Sequence, residues 1–158
     1  EDFYLMKAWG QGVSERSYLL GKKGNAVMTI DLQEYGPEYA HLLDYWVNSM
    51  YGKRYVLVEY PVPKENNGPD DMPVFDTDYR QISLFLYDQG QLNVVDQIVT
   101  EKLPNMQACH LQYDPSSKNF YIFNVDIQNR TIYRTDVYAW DTGGSKLRKK
   151  TTLLPADI

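Results

Sequence analysis

The sequence predicts a mainly β, antiparallel multi-sheet fold with one amphipathic helix, and three observations carry that prediction. Most of the 158 residues fall into short β-branched and aromatic runs punctuated by Gly, Asp, Asn and Pro. Aromatic residues are abundant, with 14 Tyr, 5 Phe and 3 Trp, too many for a disordered chain. Alternate residues within single runs are apolar on both sides: Tyr121, Phe123 and Val125 oppose Phe120 and Ile122, and Val56 and Val58 oppose Tyr55 and Leu57. Strands of that kind need cover on both faces, so more than one sheet is required.

In chain order, strands are expected at about 2–9, 16–22 and 25–32. Tyr39, Leu42, Leu43, Trp46, Val47 and Met50 then follow the spacing of one helical face. With Pro37 suited to a first turn and Gly52 to a C-terminal exit, they predict a helix at about 37–50. A strand at about 53–60 follows. From Pro61 to Asp78 four prolines, Gly68 and the acids Glu65, Asp70, Asp71, Asp76 and Asp78 break any period, which predicts a long loop. Long loops often carry function, so this one is the first candidate binding surface. Further strands are expected at about 80–87, 92–99, 108–113, 119–125, 131–140 and 146–153.

A short frame recurs in Ala8-Trp9-Gly10-Gln11-Gly12, Leu86-Tyr87-Asp88-Gln89-Gly90 and Ala139-Trp140-Asp141-Thr142-Gly143. Each joins two apolar runs and reads as a tight hairpin. The chain is therefore read as one β-rich domain, 1–158, with repeat units at 25–99 and 108–153. Residues 108–153 make a four-stranded series that resembles a β-propeller blade, and Trp140-Asp141 is similar to the aromatic-Asp strand ends of such blades. Four-stranded units of this kind are sandwich-like or propeller-blade-like. A closed propeller typically needs at least about four blades, so a compact multi-sheet arrangement is preferred here.

Sixteen Lys and Arg against twenty-one Asp and Glu give a net charge of −5, which argues against a nucleic-acid partner. No apolar run reaches the roughly 18 residues of a membrane helix. A single cysteine, Cys109, excludes an intrachain disulfide framework. The opening at Glu1 reads as a mature chain freed of a leader, so a periplasmic or secreted location is expected.

No cofactor motif is present: P-loop, Gly-x-Ser-x-Gly and His-Glu-x-x-His patterns are absent, and Gly10-Gln11-Gly12 is simpler as a hairpin. Cys109 and His110 would face opposite sides of a strand, which argues against a thiol nucleophile with its base. The acidic loop offers hard oxygen ligands, yet lacks the spacing of a calcium loop. The run Lys146, Arg148, Lys149 and Lys150 suits a protected strand edge. Asn129-Arg130-Thr131 matches a glycosylation acceptor, relevant in a eukaryotic secretory cell.

These readings favour a non-enzymatic domain that binds another protein, of the inhibitor or immunity-protein type, blocking a secreted hydrolase by placing acids in a basic cleft. The expected contacts are Asn66, Asn67, Asp70, Asp71, Asp76 and Asp78 in the loop, with Ser116, Ser117, Asp141, Thr142 and Ser145 in two turns. The alternatives are a carbohydrate-active or other hydrolase whose carboxylates converge only on folding, and a ligand-carrying β-barrel.

Overall fold

The computed structural model describes residues 2–10, 13–38, 40, 42–50, 52–65, 67–102, 108–126, 129–140 and 146–155. These residues form a mainly β structure of three antiparallel sheets. The first holds β1 (Asp2–Gly10), β2 (Val13–Lys23) and β3 (Ala26–Asp31). A 3-10 turn at Leu32–Tyr35, opened by the Asp31 carboxylate accepting from the Gln33 N–H, leads to the second sheet. That sheet orders β4 (Asp44–Met50), β5 (Lys53–Pro63), β6 (Phe75–Asp88) and β7 (Gln91–Val99). The third repeats the order with β8 (Ala108–Asp114), β9 (Asn119–Asp126), β10 (Thr131–Trp140) and β11 (Leu147–Leu153).

The helix expected at 37–50 is not there. Asp44–Met50 pairs residue for residue with β5, from Asp44 opposite Glu59 to Met50 opposite Lys53. Gly52, read as a helix exit, instead supplies the left-handed backbone (φ 71°) of the turn between β4 and β5. The physical reason is that Trp46 and Val47 serve different cores. Trp46 packs into the core between the second and third sheets, and Val47 into the core between the first and second. Neighbouring residues reach opposite sides only on a strand.

The same division runs along β5, all of which is buried from Tyr55 to Tyr60. Tyr55 and Leu57 meet Leu111, Phe120, Ile122, Tyr138 and Trp140 of the third sheet, while Val56, Val58 and Tyr60 meet Leu19, Ile30 and Leu32. The second sheet is thus the middle layer. Aromatic rings gather between it and the third, where Trp46 lies 5.2 Å edge-on from Phe120 and Tyr55 lies 4.3 Å edge-on from Trp140.

The two four-stranded sheets share further detail. Their outer ladders carry a bulge at corresponding places, Val95 of β7 opposite the Leu84–Phe85 step of β6 and Lys150 of β11 opposite the Val137–Tyr138 step of β10. Their inner strands β4 and β8 adjoin, as do their outer strands β7 and β11. Matching residues then face matching ways: Phe85 and Tyr87 look to the first sheet, and Tyr138 and Trp140 to the second. β11 is an edge strand, and the exposed Arg148 and Lys150 of the basic run lie on it.

Candidate functional site

The loop expected over 61–78 is shorter than the sequence suggested, because β5 and β6 continue into it. Val62 pairs with Asp76 and Pro63 with Phe75, and the Lys64 N–H donates to the Val74 carbonyl at 2.7 Å. Proline is tolerated in these positions because the ladder is ending. Beyond it, Gly68 N–H donates to Met72 O at 2.8 Å, which closes a small turn around Pro69–Asp71. Asp70 and Asp71 both take left-handed backbone, with φ of 62° and 57°. Asp tolerates that region better than most side chains.

This loop and the segment after the first 3-10 turn enclose an open cleft of about 510 Å³, lined by Glu38, Pro63, Asn67, Asp70, Asp71, Met72 and Pro73. Three carboxylates therefore share a cleft with an exposed thioether. Met72 is 49% exposed, and Val74 beside it is exposed too. Among the described residues, no three His, Cys, Asp or Glu side chains group closely enough to hold a metal ion. Asp76 and Asp78 lie back from the rim on β6. Asp76 accepts from the Asp78 N–H at 3.0 Å, and Asp78 stands 3.8 Å from the Lys102 ammonium.

Ser116 and Ser117, also expected as contacts, do not join this cleft. Successive turns of a meander alternate ends, and the contacts of Asp96 with Leu147 and of Glu101 with Lys149 show the second and third sheets running alike. The β5–β6 loop therefore sits at one end and the β8–β9 turn at the other. At that far end Ser116 and Ser117 are exposed, but their hydroxyls donate to Asp114 at 2.7 and 2.6 Å. The hydrogen bond from Ser117, then those from Ser116, hold the Asp114 carboxyl below its usual range. Asn66, Asp141, Thr142 and Ser145 lie outside the described residues, as does His41. Cys109 and His110 are consecutive on β8, opposite Asn124 and Phe123.

Pro63, Met72 and Pro73 fall within the loop that the sequence marked as a binding surface, though not among the named contacts, and Glu38 was overlooked altogether. Met72 and Val74 carried a signal, since apolar residues inside an acidic loop invite a contact role. Glu38 carried none, because only folding brings it to the loop.

A second ionic cluster lies between sheets and is structural in character. Glu59, fully buried, faces Arg80 at 3.3 Å. Asp136, also fully buried, is met by Arg134, Lys149 and Thr152. These carboxylates are held by cations within the fold. Among the described residues no helix is long and apolar enough to cross a membrane.

Compared with known proteins, the chain matches no family model and none of the curated sequences.

Proposed function

We propose that this chain is a non-enzymatic protein-binding domain that acts outside the cytoplasm, in the periplasm or after secretion, as an inhibitor or immunity protein of a secreted hydrolase. The observation that carries the reading is the cleft at the β5–β6 loop, where Glu38, Asp70 and Asp71 stand beside exposed Met72. Such a surface suits a partner's Lys or Arg, whose apolar stem would lie on Met72 while its charged head meets the acids. A basic active-site cleft presents that chemistry, and the chain's net charge of −5 would steer the encounter.

The sheets behind the loop serve as its scaffold. Their common strand order and corresponding bulges support reading β4–β7 and β8–β11 as propeller-blade-like units of one β-rich domain. A loop hydrogen-bonded at its base to such a scaffold is pre-organised, which lowers the entropy cost of binding.

The test is affinity capture from the source's periplasm or culture medium with three baits: the full chain, a deletion of residues 66–73, and Asp70→Lys with Asp71→Lys. The reading expects a stoichiometric partner on the first bait, lost from the other two while their thermal melts stay near that of the parent. A partner retained equally by all three would overturn it.

A further inference from the structure

Asn129-Arg130-Thr131 has no part in the cleft. It is an Asn-x-Thr acceptor pattern, and no other asparagine of the chain has Ser or Thr two residues on. Such an asparagine can carry a sugar only where the folded chain leaves room for a group larger than any side chain. Asn119 and Asn124 of β9 have no such room, being 8% and 0% exposed. Asn129, Arg130 and Thr131 are all exposed. β9 ends at Asp126 and β10 begins at Thr131, and these two residues pair, so Asn129 and Arg130 belong to the hairpin turn beyond the ladder. Arg130 takes left-handed backbone there, with φ of 53°. Turns alternate ends along a meander and the second and third sheets run alike, so this turn lies at the same end of the stack as the β5–β6 loop.

We propose that Asn129 is a site of N-linked glycosylation, which takes an oligosaccharide from a polyprenyl-diphosphate donor when the chain enters a eukaryotic secretory lumen. In the transfer the Asn129 Nδ2 bonds to the sugar C1 as the C1–O bond to the diphosphate breaks. The amide gives up one proton, and the polyprenyl diphosphate departs. The sugar then stands off the turn as a bulky, solubilising group and displaces no side chain of the two apolar cores. The proposal rests on the extracytoplasmic reading above for what the chain meets in its own source.

The test supplies the lumen directly. The full chain is expressed behind a cleavable secretory leader in a eukaryotic cell line, and intact mass is read on the secreted and the cell-retained chain alike. The parent should carry one oligosaccharide, which peptide-N-glycosidase should strip, leaving a carboxylate in place of the Asn129 amide. Asn129→Gln and Thr131→Ala should emerge without sugar and with the melt of the stripped parent, as expected of exposed positions, while Thr131→Ser should keep the sugar. A parent without sugar, or sugar that survives Asn129→Gln or Thr131→Ala, would overturn the proposal. Fractionation of the source cell tests the location separately: a cytoplasmic chain there would overturn that reading and leave the acceptor standing.

Discussion

Arg134 grips Asp136 with two hydrogen bonds, its Nε donating to Oδ1 at 3.0 Å and its Nη2 to Oδ2 at 2.7 Å. The residues are two apart on one strand, so they share a face and need no tertiary chance to meet. Thr152 donates to the same carboxylate at 2.8 Å and Lys149 stands 3.4 Å away. Burial by itself would raise the carboxyl's pKa, but the hydrogen bonds from Arg134 and Thr152 and the charges of Arg134 and Lys149 outweigh it and hold the group below its usual range. Arg134→Leu should therefore destabilise the fold by about 3 kcal/mol, the lower part of the range for breaking a buried pair, because Lys149 and Thr152 remain. Urea unfolding at neutral pH measures this, and a loss under about 0.5 kcal/mol, the size of an ordinary surface change, would contradict it.

The same carboxylate sets an acid dependence. With the folded pKa depressed, its stabilisation is complete above the unfolded value of about 3.9 and is lost as pH falls below that value toward the folded one. Asp136→Asn should be less stable than the parent at neutral pH, and the gap should narrow as pH drops below about 4. Denaturant midpoints taken across that interval test the sign, and a gap that widens in acid would refute the assignment.

Trp46→Ala should cost about 3 kcal/mol, since it removes an indole packed against Tyr113, Phe120 and Trp140 at ring separations of 4.7, 5.2 and 6.5 Å. Near-ultraviolet circular dichroism should weaken with it. This residue also shows where the sequence was legible and where it was not. Runs such as Tyr55–Tyr60 and Phe120–Val125 read as two-sided strands because alternation is local information. Tyr39 to Met50 carried a helical stripe just as good by spacing, and only pairing with β5, a tertiary fact, decided for a strand. The cleft divides likewise. Asp70 and Asp71 stood out by composition, whereas Glu38 is brought to them by the 3-10 turn and crossover that link two sheets.

Tyr60 gives an alkaline counterpart. Its hydroxyl, fully buried, donates to the Leu32 carbonyl at 2.5 Å and so ties β5 to the 3-10 turn that leads from the first sheet. Burial first, then the charge of Asp31 and the neighbouring Tyr35, pushes its pKa well above the usual tyrosine range. Tyr60→Phe should lose about 1–2 kcal/mol at neutral pH, with Leu32 O left unpaired. A raised folded pKa leaves stability intact below the unfolded value of about 10 and erodes it as pH rises beyond. The parent should therefore weaken above about pH 10 while Tyr60→Phe weakens less, and parallel curves would count against the buried phenol.

The turn between β6 and β7 should accept a stabilising change at one residue and resist a change at the next. Asp88 pairs with Gln91, and the two residues between them, Gln89 and Gly90, have φ of 46° and 84°. Two left-handed residues in a two-residue loop match the twist of the flanking strands, and Asn-Gly is the preferred pair there. Asn enters the left-handed region at lower cost than Gln, because its short amide bonds to nearby backbone. Gln89→Asn should raise stability by about 0.5–1 kcal/mol, in line with other turn optimisations. Gly90→Ala should lower it by at least about 1 kcal/mol, since an L side chain is strained at that φ, and its Cβ would stand 2.9 Å from the Met28 sulfur of the first sheet. Chemical denaturation of both variants reads the pair, and a loss at Gln89→Asn or indifference at Gly90→Ala would mean that the turn does not hold the two sheets in this relation.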